Sequence, residues 1–529
     1  MKNRDHNATW SYHDGTKHSY QSIRANPHYL DWDNQPLPFK IYSTLEAIPL
    51  PRHLSSPGAL ALSAIATTAG RSGSATGPGI ETLAEIFFLS AGITRRKRHP
   101  GGEVLFRAAA CTGALYHIDL YLVCGDLPGL EAGVYHYGPH DFALRRLRRG
   151  DYRGAVVSAT AGEPAVAGAR AIVISASTYW RNAWKYQSRS YRHCFWDNGT
   201  ILANMLAGAA ARDIPAKLVV GFVDSSVNRL LGLDPAREAA LTVVALGNVR
   251  AMAPGVAAEI GSLSFETVPL SKREVDYPAI RAVHEASSLE SEEEVTAWRR
   301  VKDEGGRPAL SSAEGMKDEG TGVKNEGRLF PLVPLAENEM PQDTIEDVVM
   351  RRGSTRRFAR EPISLGQLST MLERVTREVP ADFSESAGGP LNDLYLIVHA
   401  VDGLPPGAYL FRRDSRALEL LKEGDFRERA GYLGLGQEIP ADCSVDIFFL
   451  VDLKPILERF GNRGYRVAQL EAAITGGKLY LAAHAQRLGA SGLTFFDDDV
   501  TEFFSPRAAG KSVMFLIALG RSVKAKRIG

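Results

Sequence analysis

The chain has 529 residues, 62 Lys and Arg against 61 Asp and Glu, and a formal net charge of +1. That length is too great for a single core and predicts two or three domains, while the even charge balance excludes a general nucleic-acid surface. The start, MKNRDHNATW, has no apolar stretch of a signal peptide, no apolar run reaches the length of a membrane span, and the four scattered cysteines form no CxxC pair, which fits a reducing cytoplasm.

In chain order, residues 1–50 read as an arm whose His13, His18, Tyr29 and Trp32 cover the fold rather than bind metal. Leu83, Ile86 and Phe87 stand at the spacing of an amphipathic helix. Apolar strands follow at LYLVCG (120–125) and AIVISAS (171–177), with a Gly-Xaa-Tyr hairpin between them. An alanine-rich helix, ILANMLAGAAA (201–211), leads to a strand ending in glycine, LTVVALG. Residues 302–327 then repeat KDEG, KDEG and KNEG among Ser, Gly and Pro. Such sequence cannot bury a core, so 285–338 is expected to be a linker or exposed insertion.

Beyond it the same order returns. Leu365, Leu368, Met371 and Leu372 predict a helix, opened by the capping-box pair Ser364 and Gln367. LYLIVHA, SVDIFFLVD, LEAAITGGKLYLAAHAQRL and SVMFLIALG follow. LEAGVYHYGPHDFALRRLRRGDYR from Leu130 and LPPGAYLFRRDSRALELLKEGDFR from Leu404 agree at 9 of 24 positions, offset by 274. That offset also pairs Tyr191-Arg192 with Tyr465-Arg466, and Phe222 and Asp224 with Phe496 and Asp498. The chain is therefore a tandem duplication: an arm (1–50), a first domain (51–284), the linker (285–338) and a second domain (339–529). Each domain is α+β, a mostly antiparallel sheet between helices.

One local cluster departs from the neutral average. MRRGSTRRFA (350–359) sets Arg351, Arg352, Arg356 and Arg357 around Ser354-Thr355, just ahead of a helix. It is either a solvated basic face or a phosphate site, since guanidinium forks match phosphate oxygens and helix N-termini favour anions. Arg521, after the last strand, is placed to join it. Asp497, Asp498 and Asp499 have no second ligand cluster and are expected to cap a helix.

Arg-x-Ser-x-Arg-x-Phe before a helix, with a terminal strand-Gly-Arg, resembles the nitroreductase family, whose members bind FMN at a dimer interface. RAAACTGALYHIDLYLV (107–123) is similar to that family's flavin-facing loop, and with residues 12–40 and WKYQSRSYRH (184–193) the resemblance is to the SagB/ThcOx-type dehydrogenases. The resemblance implies two nitroreductase-like domains packed as an intramolecular pseudo-dimer, and an FMN-dependent oxidation of an azoline on a peptide or carrier to the azole. It implies flavin contacts from Arg352, Ser354, Arg356, Arg521, Arg107, Cys111, Thr112 and Gly113, with ring contacts from the backbone at Leu493 and Thr494. The loop's usual serine is Cys111 here, and its terminal proline is His117.

The phosphate grip survives in the second half and the ring-facing loop in the first; the first half's phosphate segment, GRSGSATG (70–77), holds one arginine, and its last strand ends Gly247-Asn248. One FMN per chain is expected. The resemblance also implies Lys185 and Tyr186 as the catalytic acid–base pair; the repeat has Arg459-Phe460 there, which cannot serve. Arg189 and Arg192 either tune that pair, bind substrate or pair with carboxylates. No metal is expected, a cyclodehydratase is the expected partner enzyme, and pairing of two chains is left open. The alternatives are an FMN-dependent nitro- or quinone reductase of small molecules, and a degenerate flavin-fold module that binds peptide.

Overall fold

The computed structural model describes residues 2–53, 55–67, 77–99, 102–247, 260–300, 327–387 and 389–523. The arm contributes α1 (Asn7–Gly15). The first half then runs β1 (Ala47–Pro49), α2 (Ile80–Ala91), β2 (Ile118–Cys124), β3 (Gly133–Gly138), β4 (Ala143–Arg149), β5 (Ala171–Thr178), α3 (Tyr179–Tyr186), α4 (Ser190–Ala210), β6 (Ala216–Val219), α5 (Asp224–Leu231) and β7 (Glu238–Leu246). Two helices follow, α6 (Pro278–Ala286) and α7 (Glu292–Arg299). The second half runs β8 (Leu329–Pro331), α8 (Ile345–Arg351), α9 (Leu365–Val375), β9 (Asp393–Val398), β10 (Gly407–Arg412), β11 (Ala417–Glu423), β12 (Val445–Val451), α10 (Leu453–Phe460), α11 (Arg463–Ala485), β13 (Gly489–Leu493), α12 (Asp497–Phe504) and β14 (Ser512–Gly520).

Each half builds a seven-stranded sheet, β1-β4-β3-β2-β5-β7-β6 and β8-β11-β10-β9-β12-β14-β13, so the strand order is the same in both. Every pairing in the two sheets is antiparallel. The α+β duplication expected from the offset of 274 is what the chain forms. The capping box at Ser364 is also formed: its hydroxyl accepts from Gln367 N, and the Gln367 side chain accepts from Ser364 N.

The halves meet through the long helices α4 and α11. Both are buried along nearly their whole length, although α4 carries Arg192 and Asp197 and α11 carries Arg463, Arg466, Glu471 and Lys478. Small residues set their approach. A Cβ on Gly199 would come within 2.5 Å of Ala473 Cβ, and one on Gly477 within 2.7 Å of Ala203 Cβ. Positions 199 and 473, and 203 and 477, are equivalents under the repeat, so the crossing has pseudo-two-fold symmetry.

Charge follows the same symmetry. Arg189 and Arg192 of the first half hold Asp497 of the second at 2.9 and 2.6 Å. Arg463 and Arg466 of the second half hold Asp224 of the first at 2.7 and 2.8 Å. This corrects two expectations. Asp497 is a partner for buried arginines across the interface and not a helix cap, and the equivalent of Asp224 is Asp497 rather than Asp498. Likewise Arg463 stacks over Phe222 and Arg189 over Phe495, so Phe222 corresponds to Phe495 rather than Phe496. One residue fewer precedes β13 than precedes β6. Of the three roles weighed for Arg189 and Arg192, the structure shows carboxylate pairing.

Burial would raise the Asp224 carboxyl, but Arg463 and Arg466 outweigh it and hold it at about 2. Its contribution to stability is therefore complete above the ordinary carboxylate range near about 4 and is lost as pH falls through its depressed folded value. Asp497→Ala leaves two buried guanidiniums unpaired and is expected to cost about 3–5 kcal/mol, read as a lowered urea midpoint at unchanged slope.

The ends of the 285–338 stretch are structured. α7 buries Val295 and Trp298, and β8 pairs with β11. The KDEG repeats lie outside the described residues, as do Asn248 and all of GRSGSATG except Gly77. Among the described residues no helix is long and apolar enough to cross a membrane.

Candidate active site

The loop after the ribbon Ile93–His99/Gly102–Arg107 is held from below by α4. Asp197 accepts hydrogen bonds from Thr112 N and Thr112 Oγ1 (2.8 Å each) and from Cys111 Sγ (3.0 Å), and lies 2.9 Å from His117 Nε2. His117 Nδ1 is in turn 2.8 Å from Ser177 Oγ. One carboxylate thus fixes a short turn in which Gly113 (φ 64°), Ala114 (56°) and Tyr116 (49°) are left-handed. Burial, with Asp197 adding to it, raises the Cys111 thiol well above its ordinary range, so it stays protonated. Asp197 is a functional residue that sequence reasoning missed. Its signal is its repeat equivalent, Glu471, which accepts from Leu391 N and Asn392 N in the same way.

Lys185 and Tyr186 close α3 directly above this turn. A Cβ on Gly113 would lie 2.9 Å from Tyr186 Oη, so the phenol closes on the bare glycine backbone. Lys185 Nζ sits 5.4 Å from the Tyr186 ring centre, and His193 packs edge-on against that ring at 4.6 Å. Burial raises the Tyr186 phenol well above its usual range; Asp197 and Cys111 push the same way, and Arg356 of the second half opposes them. This environment keeps the phenol protonated and is the opposite of what a tyrosinate base needs.

The arginine cluster approaches the same turn from the second half. Arg352, 9% exposed, donates from Nε to Ala108 O (2.7 Å) and from Nη2 to Arg107 O (2.8 Å). These bonds lock the phosphate-type segment of one half to the loop of the other and leave Nη1 outside them. Ser354 Oγ is 3.3 Å from Tyr480 Oη, and Thr355 N donates to Ala490 O, which seats the segment along the edge of β13. Arg356 is exposed. Arg351 is engaged elsewhere, with Asp343 and His484 O. Arg521 does not converge on Arg352. Its backbone pairs with Ala359, and its Nε donates to Pro362 O at 2.9 Å.

Arg107 is buried, with Phe39 and Tyr116 stacked on its guanidinium at 5.0 and 4.8 Å. Leu493 is buried at the end of β13. Thr494 Oγ1 and Arg107 Nε are buried without a hydrogen-bond partner.

The donor set fits a flavin mononucleotide. Arg352, Arg356 and the Ser354 hydroxyl suit a phosphate, and the buried, unmatched Thr494 hydroxyl suits the polar edge of a ring. Burial, joined by the Arg95 guanidinium, lowers the Arg352 pKa against the influence of Tyr480 and Tyr116, a balance that an added anion would improve.

The fold defines a tandem α+β pseudo-dimer in which the Arg352 segment of the second half is bonded to the Arg107–Ala108 loop of the first. The profile of the Nitroreductase family, oxidoreductases whose members typically use flavin, matches residues 349–521, within the second half. A protein of Methanocaldococcus jannaschii that bears a nitroreductase designation is 23% identical over 189 residues, 34% of this chain and 92% of that one. The trifolitoxin-processing protein of Rhizobium leguminosarum bv. trifolii is 29% identical over 150 residues, 27% of this chain and 39% of that protein. A crystal structure from Anabaena variabilis, also designated a nitroreductase, superposes with a TM-score of 0.74 at 25% identity, covering 98% of this chain and 99% of the other. The nitroreductase-like architecture therefore extends over the whole chain.

Proposed function

We propose that the chain is an FMN-dependent dehydrogenase that oxidises an azoline, thiazoline or oxazoline, carried on a peptide or carrier, to the azole. The observation that carries this reading is that Tyr186, beside Lys185, stands over the Gly113 turn of the first half while Arg352 of the second half bonds the loop just ahead of that turn, at Arg107 O and Ala108 O. The likeness to a protein named for trifolitoxin processing supports a peptide-borne substrate.

In this reading Arg352, Ser354 and Arg356 bind the phosphate, and the Gly113 turn and Thr494 bracket the ring. FMN, when bound, supplies the two-electron acceptor for the hydride leaving the azoline. Lys185 Nζ takes the proton from the ring α-carbon. Tyr186 keeps its proton on Oη and donates a hydrogen bond that orients the substrate. Asp197 holds the turn in place, and the pair stands half-buried at the end of α3. A cyclodehydratase that forms the azoline is the partner this chemistry calls for.

Purified protein is expected to be yellow, to release one FMN per chain, and to be reduced anaerobically by an azoline peptide. Reduction by a nicotinamide but not by the azoline would transfer the assignment to a small-molecule reductase, the reading favoured by the family match alone. Protein that takes up no flavin would leave only the peptide-binding module.

A further inference from the structure

The repeat predicts a second copy of the composite site, related to the first by the pseudo-two-fold axis. Resting on the flavin reading above, we infer that this copy is filled by the chain itself, and that Trp298 and Asp382 are the residues that set the cofactor stoichiometry at one.

The equivalents can be named one by one. Leu493 and Thr494 correspond to Val220 and Gly221, Tyr186 to Phe460, and the edge of β13 to the edge of β6. At the open site the β13 edge is paired by the phosphate-type segment, through Ser354 and Ala490. At the other site the β6 edge is paired by Pro380–Ala381, a stretch of the second half: Leu218 N donates to Pro380 O at 2.8 Å, and Leu218 bridges Ala381.

The next residue finishes the closure. Asp382, 1% exposed, accepts from Val220 N at 3.0 Å and from Gly221 N at 2.8 Å, one oxygen each. A carboxylate thus takes the two backbone donors whose counterparts, at Leu493 and Thr494, make no hydrogen bond to any side chain or loop among the described residues.

Trp298 fills the remaining space. It comes from α7, outside the duplicated unit, and is 1% exposed. Its indole donates to Phe460 O at 3.0 Å and lies 5.4 Å from the Phe460 ring. On its other side a Cβ on Gly221 would fall 2.8 Å from two indole carbons, so the glycine is what lets the flat ring in. A planar aromatic group between Gly221 and Phe460, with an acceptor pair on the Val220–Gly221 amides, occupies the place that corresponds to the space between Thr494 and Tyr186.

The test uses the full chain and two probes, FMN and lumichrome, the flavin ring system without ribityl or phosphate. Wild type is expected to hold one FMN per chain and, once so loaded, to bind no lumichrome in equilibrium dialysis. Trp298→Ala combined with Asp382→Ala is expected to keep its one FMN and to bind one lumichrome per chain besides. Two FMN per chain in wild type would overturn the inference and leave the flavin reading standing; no FMN would overturn the flavin reading itself. A variant that keeps its near-UV circular dichroism and its FMN but takes up no lumichrome would show that the slot is ordinary core. If the double variant does not fold, Trp298→Leu, which preserves apolar contact, is read by the same dialysis with the same two outcomes.

Discussion

Lys185→Ala is expected to leave a yellow, folded protein that has lost about 10²–10⁴-fold of its turnover, the usual span for a positioned acid–base group, and Tyr186→Phe one that has lost about tenfold, the worth of one orienting hydrogen bond. The two losses should differ in kind. Phenylalanine keeps the ring that His193 and Lys185 pack against and removes only Oη, the atom nearest Gly113. It therefore deletes a hydrogen-bond donor, whose pH dependence in wild type lies above the ordinary phenol range because burial raises it. Lys185→Ala deletes the proton acceptor, so flavin reduction under anaerobic conditions should slow even with bound substrate in excess. The second half has no substitute, since Arg459 and Phe460 lack usable acid–base groups. Flavin reduction in the double variant at the wild-type rate would remove the pair from the mechanism.

Arg352→Ala is expected to weaken FMN binding by at least about tenfold, because a hydrogen bond to a charged group contributes roughly 1.5–3 kcal/mol. It also removes the two bonds to Arg107 O and Ala108 O that join the halves at this point. Arg352→Lys separates these effects. An ammonium restores the charge but cannot span two carbonyls and a phosphate as the planar fork does, so it should recover little of the affinity. Arg356, exposed and outside such bonds, should show a smaller loss that shrinks further in salt. Full retention of FMN in the Arg352→Ala/Arg356→Ala variant, measured by ultrafiltration, would mark the cluster as a solvated basic face.

The duplication was legible because strand spacing is rigid: a hairpin cannot gain a residue without losing register, so the offset of 274 holds through β3 and β4. It slipped where a loop absorbs length. The missing residue before β13 cannot be located by apolar periodicity, so the offset points to Asp498, whereas the ion pairs are made by Asp497. Lys185, Tyr186 and Arg352 were readable by type and order. Asp197 and Asp382 were not, because each acts on backbone N–H groups far away in sequence, a role with no residue-type pattern. Arg521 carried the right pattern, but its side chain turns to Pro362 O. Trp298 was hidden by its surroundings. Glu292, Glu293 and Glu294 and the KDEG repeats give its region a polar composition, although Val295 and Trp298 stand one helical turn apart after a Ser291 cap.

The crossing of α4 and α11 also settles how assembly depends on mass action. In a pair of separate subunits a two-fold helix contact is gained on association and lost on dilution. Here Gly199 against Ala473 and Ala203 against Gly477 meet within one covalent chain, so closing the interface is a unimolecular step at an effective concentration set by the connecting segment. The composite site therefore survives at any dilution of the protein. A change on one side of the axis also appears once rather than twice, which left Tyr186 and Phe460, two copies of one position, free to take up different chemistry.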